Sequence, residues 1–294
     1  MFAATLPSDP SAPIAAKPQS TLARADGGAA LGVGASAGRL RLTHLDQRSP
    51  WRVLFPRTVP GDLPLGVMVN TGGGLCGGDR ARQSVAVGED ANLVVTSQAA
   101  EKVYRSLGPD TVMQTALTVA RGGWLEWMPQ ETILFDAARF RRQLSIDVAD
   151  SGRLLAGETM LFGRHAHGET WTQGLAADQW RVRYAGRLVW ADGFWLSDDV
   201  ADVMASPAGF GGGLAMATAV AVGPGAAALI DGLRARQDDD AGGRFSATVV
   251  NDVLIWRRLD DDAKRLRGRL LTDWAWLRSA WTGLPERVPR PWLI

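Results

Sequence analysis

From Arg39 onward, short runs of alternating apolar and polar residues are separated by turn residues. Gln83–Val87 and Ala91–Thr96 flank Gly88-Glu89-Asp90, and Thr111–Ala120 and Trp124–Met128 flank Arg121-Gly122-Gly123. Phe140–Val148 and Leu154–Phe162 are broken by Asp150-Ser151-Gly152, and Trp180–Tyr184 and Arg187–Asp192 are joined through Ala185-Gly186. A period of two is the strand period, and turn residues between such runs predict hairpins. Strand patterns return at Gly213–Val222, Phe245–Val250 and Val253–Arg258. The spacing predicts a mostly all-β protein, with antiparallel β-strands in a layered or helical β architecture.

Two segments of the C-terminal part change period and predict helices. Gly225–Gln237 carries Ala226, Ala227, Leu229, Ile230 and Leu233 at helical spacing behind Pro224. Asp261–Trp281 carries Leu266, Leu270, Trp274, Leu277 and Trp281 at steps of three or four, with Asp261 and Asp262 at its positive end. Its other face bears Lys264, Arg265, Arg267, Arg269 and Arg278. Such a helix packs its apolar face on its own sheet and leaves the charged face to solvent or to a partner. Residues 1–38, rich in Ala, Pro, Ser and Gly without periodicity, read as a disordered N-terminal extension, and residues 39–294 as a single domain.

Composition narrows the function classes. With 32 basic and 31 acidic residues the net charge is +1, which gives no global field to attract nucleic acid or an anionic membrane. No run approaches the ~18 apolar residues of a membrane span, and no secretory signal pattern is visible, so a soluble cytoplasmic protein is expected. A single cysteine excludes an internal disulfide and multi-cysteine zinc motifs. Twelve tryptophans against two tyrosines supply large apolar area for a core or a partner-facing surface.

The densest local signal is the glycine-rich run after the apolar Leu65–Val69. Gly72, Gly74 and Gly77 spell G-x-G-x-x-G, but a strand pattern follows instead of the helix that a dinucleotide fingerprint opens, and no Lys-Ser or Lys-Thr follows as in a P-loop. Cys76 within the run would act as a nucleophile only with a histidine held nearby. An all-β enzyme or ligand-binding protein using this loop is therefore the alternative to the reading below. His165 and His167, at i and i+2, would share one face of a strand and form half a metal site, or else belong to an ordinary polar turn.

Four blocks in order carry a specific resemblance: NTGGGLCGGD (Asn70–Asp79), TSQAAEKVYRS (Thr96–Ser106), LEWMPQETILFDAARFRR (Leu125–Arg142) and GETMLFGRHAHGE (Gly157–Glu169). The chain resembles the urease accessory protein UreD family, also called UreH, over roughly Leu40 to Leu196. The resemblance implies a chaperone of nickel insertion without catalytic chemistry of its own. Its partners would be urease apoprotein, UreF and the GTPase UreG, with no permanently bound cofactor and a transient nickel ion in a water-filled passage. The motif loop comprises Asn70, Gly73, Gly74, Gly77 and Gly78. Asp79, Glu101, Glu131, Asp136 and Glu158 all lie within the blocks. Carboxylates hold divalent ions less tightly than imidazole or thiolate, which suits an ion that must be passed on; each acid could equally be a salt-bridge or turn partner.

Overall fold

The computed structural model describes residues 24–237 and 242–293, which form two facing sheets with a helical layer on one of them. Strands β1 (Asp26–Ser36) and β2 (Arg39–Arg48) lie in the first sheet, and β3 (Trp51–Leu54) and β4 (Leu65–Asn70) in the second. The chain then shuttles. It passes through β5 (Arg80–Val87) in the first sheet, β6 (Asn92–Ser97) in the second, the short β7 (Glu101–Val103), β8 (Thr111–Val119) in the first, β9 (Trp124–Trp127) in the second and the short β10 (Thr132–Leu134). A further coil places β11 (Arg139–Val148) in the first sheet and β12 (Arg153–Phe162) in the second. The hairpin β13 (Gln173–Tyr184) and β14 (Arg187–Asp199) ends the first sheet; after helix α1 (Ala201–Ala205) come β15 (Ala215–Val222), helix α2 (Ile230–Ala235), β16 (Arg244–Val250), β17 (Val253–Asp260) and helix α3 (Ala263–Thr282). The spatial orders are β14-β13-β11-β8-β5-β1-β2 and β16-β17-β15-β12-β9-β6-β4-β3.

The architecture is the expected mostly β, layered one, but strand direction differs from expectation. β1, β5, β8, β11 and β13 run parallel in the first sheet, as do β4, β6, β9 and β12 in the second, and antiparallel pairs are confined to the ends of the sheets. The glycine turns at 88–90, 121–123 and 149–152 do not close hairpins; each carries the chain from one sheet to the other, as a solenoid corner does. Period-two alternation reports which side chains point inward, and a corner needs the same turn residues as a hairpin. The two-residue turns at 37–38, 185–186 and 251–252 do close antiparallel hairpins.

β1 corrects the extent of the expected N-terminal extension. Residues 1–23 lie outside the described residues, but Asp26–Ser36 is a largely buried strand between β2 and β5. Its glycines and alanines disguise it in the sequence. Gly27 and Gly28 are there because the neighbouring backbone leaves no room for a Cβ, which would run into the carbonyl oxygens of Ser49 and Arg82.

The first sheet buries one face, so β5, β8 and β11 alternate buried and exposed residues. The second is covered on both faces and β12 is buried almost throughout. Its outer face takes α2 and α3, where Trp124, Leu155 and Trp256 meet Leu233, Trp274 and Leu277. Helix α3 follows its sequence reading closely: Asp262 accepts the N–H groups of Lys264 and Arg265 at 2.8 and 3.0 Å, and Gly283 closes the helix in the left-handed conformation. The other predicted helix is shorter, a 3-10 turn at Ala227–Leu229 running into α2. The basic face of α3 is turned largely to internal use. Arg278 is 1% exposed, Arg267 pairs with Glu131, and Arg265 pairs with Asp260 and Asp261. Among the described residues no helix is long and apolar enough to cross a membrane.

Candidate functional site

The glycine-rich loop between β4 and β5 lies flat on β7 and the segment behind it. Leu75 donates its N–H to the Lys102 carbonyl at 2.7 Å and accepts the Tyr104 N–H at 2.8 Å, and the Tyr104 hydroxyl donates to the Gly73 carbonyl at 2.8 Å. A Cβ on Gly74 would lie 2.5 Å from the Tyr104 ring, and one on Gly77 2.1 Å from Ser106 Oγ. The glycines thus permit backbone-to-chain contact. Asp79 closes the loop, its carboxylate accepting the N–H groups of Cys76 at 2.7 Å and Ala25 at 2.8 Å. Cys76 is exposed, and its carbonyl takes the Thr111 hydroxyl.

The five carboxylates of the matching blocks do not converge on one point. Glu131 is buried and takes Nη1 of Arg267 on both oxygens at 2.7 and 2.9 Å. Asp136 accepts the N–H and hydroxyl of Thr172 at 2.8 and 2.9 Å; burial works to raise its pKa, but these hydrogen bonds outweigh it and the carboxyl sits below its ordinary range. Glu158 lies in the interior between the sheets, taking Nη1 of Arg142 at 2.7 Å and the Trp127 indole N–H at 2.9 Å. Burial pushes Glu158 upward against the pull of that guanidinium. Among the described residues no group of three or more His, Cys, Asp or Glu is placed to hold a metal ion.

Glu101 is different. It is half-buried beside a cleft of about 220 Å³, also lined by Asn70, Gly73, Gly74, Ser97 and Gln98. Asn70 donates to its carboxylate at 2.9 Å. Desolvation raises its pKa from 4.5 to about 7, against the opposing Asn70 hydrogen bond and the Lys102 charge. Because the folded pKa lies above the unfolded one, stability falls as pH rises from the ordinary carboxylate range through about 7. Glu101→Gln is therefore expected to match the parent near pH 4 and to exceed it by about 2 kcal/mol at pH 8, after allowance for the wet part of the group. Urea unfolding at both pH values checks this; a constant difference would contradict it.

His165 and His167 sit in a single 3-10 turn, not on a strand, beside the Arg164–Glu169 ion pair. Several central groups are not marked by the sequence reading. Arg142 donates to Asp178 through Nε at 2.9 Å and Nη2 at 2.7 Å, so one guanidinium bridges two acids from different sheets. Glu126 is fully buried and accepts from Trp124, Trp274 and Arg278. Trp292, beyond α3, donates its indole N–H to Thr96 Oγ1 at 3.0 Å and the Met128 carbonyl at 2.9 Å, anchoring the C-terminal segment on the second and third blocks. Arg142 falls inside the third block at a position where alternation along β11 demands an inward side chain, and Glu126 interrupts the apolar run of β9, which is buried throughout. A charged residue there is the one available signal.

Fold and site together define a coiled two-sheet β protein with a helical layer, its glycine loop and most of its block carboxylates engaged in holding the chain together. The family model described as UreD urease accessory protein matches residues 25–293, and the chain belongs to that family. It is 43% identical over 261 residues to a urease accessory protein UreD of Magnetococcus marinus, covering 87% of this chain and 90% of the relative. It is 42% identical over 271 residues to one of Rhodopseudomonas palustris strain HaA2, covering 92% and 94%. A Mesorhizobium japonicum relative of the same name is 39% identical over 248 residues, covering 84% and 88%.

Proposed function

We propose that this protein is a non-catalytic scaffold of urease maturation in the cytoplasm, holding urease apoprotein on one side and UreF with the GTPase UreG on the other while nickel is delivered. The observation that carries the reading is membership of the UreD family across nearly the whole chain. The site supports it. The loop is a packing device, and the GTPase work falls to UreG in a division of labour consistent with the strand that follows the glycines. Of the block carboxylates, Glu131 and Asp136 flank β10 and Glu158 lies on β12 of the next coil; a weakly held cation handed along them would compete with the guanidinium partners of Glu131 and Glu158.

Co-expression of urease subunits with the accessory proteins tests the scaffold. Omission of this chain is expected to leave urease apoprotein with little nickel and activity, whereas full activity and loading without it would refute the proposal. For the passage, Glu131→Ala, Asp136→Ala and Glu158→Ala combined are expected to lower the nickel content of matured urease while the UreF complex persists, with urea unfolding measured alongside because Glu131 and Glu158 are the ion-pair partners of Arg267 and Arg142. Wild-type loading by that variant would count against a carboxylate route.

A further inference from the structure

Among the described residues the buried acids follow a rule from which the half-buried Glu101 departs. Glu126 meets Arg278, Glu131 meets Arg267, Glu158 and Asp178 share Arg142, Asp260 meets Arg265, and Asp273 meets Arg258. Asp79, the remaining fully buried acid, is satisfied by two backbone N–H groups. Glu101 has neither arrangement. Its side-chain hydrogen bond comes from the neutral Asn70 amide, with one backbone N–H, that of Lys102, beside it; among the described residues no cation forms a salt bridge with it, and the Lys102 side chain, next in the chain, is exposed. A carboxylate held partly out of water without a cation is unfavourable in the free protein. It faces a cleft of about 220 Å³, room for the end of one long side chain.

We propose that this cleft is a socket for an arginine side chain of a partner protein, the guanidinium closing on Glu101. Charge favours a cationic occupant: Glu101 is the one acid of the lining, and the one cation there, Lys102, is exposed and forms no salt bridge with it. Ligand number disfavours a metal ion, because a divalent cation gathers several strong oxygen ligands and the other side-chain donors here are the neutral Asn70, Ser97 and Gln98. Shape favours arginine over lysine. Guanidinium is planar and less strongly hydrated, carries a fork of donors for carboxylate and carbonyl oxygens, and brings an aliphatic stem that can lie on Met68 and Val69, which also line the cleft. The socket is built by the glycine loop itself. Asn70, which orients Glu101, also accepts the Gly72 N–H at 2.9 Å, so filling the socket would be felt in the loop. A cation beside Glu101 favours its ionised form, so occupancy at neutral pH is coupled to proton release.

The socket stands on the cleft geometry; only the naming of the partner rests on the scaffold reading. The full chain labelled with 13C-glutamate is titrated with N-acetyl-arginine methylamide, with N-acetyl-lysine methylamide and nickel chloride as parallel probes. The arginine derivative is expected to shift the Glu101 carboxyl resonance saturably and lower its titration midpoint by about one unit, more than the lysine derivative does. Glu101→Gln should abolish saturable binding. No saturable shift, equal binding by Glu101→Gln, or a response to nickel but not to arginine would overturn the proposal, the last by assigning the cleft to a metal ion. In a second arm, Glu101→Arg is expected to weaken binding to either purified UreF or urease apoprotein by about 30-fold or more without lowering the melting temperature. Unchanged affinity for both, where the parent binds them, would overturn the socket. A parent that binds neither protein would instead refute the scaffold reading.

Discussion

Arg142→Ala is expected to lower the folding stability by about 3–5 kcal/mol, a large share of the ~5–15 kcal/mol typical of a folded domain. Arg142 is 1% exposed, and its guanidinium is the cation that joins Asp178 on β13 to Glu158 on β12 across the interior. Removing it leaves two carboxylates close together in a medium that solvates neither, along with a cavity the size of a long side chain. Burial already raises the pKa of Glu158 with the guanidinium in place. Without that guanidinium, protonation becomes the cheaper way out, and the loss should shrink as pH falls toward 5. The triple change Arg142→Met, Glu158→Gln, Asp178→Asn, which removes the charges together, should be markedly less harmful than Arg142→Ala alone. Urea unfolding of both variants at pH 7.5 and pH 5 checks the argument. An Arg142→Ala midpoint equal to the parent's would show that water reaches the triad.

The second large effect is expected at Glu126. Glu126→Ala should cost about 3–4 kcal/mol and loosen α3 from the second sheet. The carboxylate is fully buried and is the common acceptor for the Trp124 indole at 3.1 Å, the Trp274 indole at 2.9 Å and Arg278 Nε at 2.8 Å. Its loss leaves two indole donors without this acceptor and shifts the buried guanidinium onto Asp62, which already carries Arg287. Glu126→Gln keeps an acceptor but not the charge and should retain part of the stability. Tryptophan fluorescence and hydrogen exchange along Ala263–Thr282 report on the helix directly. Unchanged protection there in Glu126→Ala would mean that apolar packing alone holds α3.

These two networks mark the limit of what could be read beforehand. Alternation along β5, β8 and β11 gave both the strand identities and the inward side, because a one-sided sheet must alternate. The helical spacing of Leu266, Leu270, Trp274 and Leu277 likewise placed the apolar face of α3. Legible too were the blocks themselves and, through them, the family. The N-terminal strand was not, since a run of Gly and Ala resembles a linker until its neighbour strands are known. Nor was the sharing out of the acids. The sequence leaves Glu131 and Glu158 as either cation-passing groups or salt-bridge partners without naming a partner, and the fold supplies Arg267 and Arg142 from other strands and helices.

By itself, then, the sequence determined the local terms: strand and helix periods, turn positions, the cap at Asp262, the glycine loop and the blocks that assign the family. Each depends on residues within a few positions of one another. Tertiary structure alone decided that the turns are corners between sheets, that neighbouring strands run parallel, and which carboxylate meets which guanidinium. Those pairings join residues on different coils, and a cross-coil contact leaves no periodic trace in the chain. The same holds for Glu101, whose unpaired state depends on what the other coils fail to bring to it.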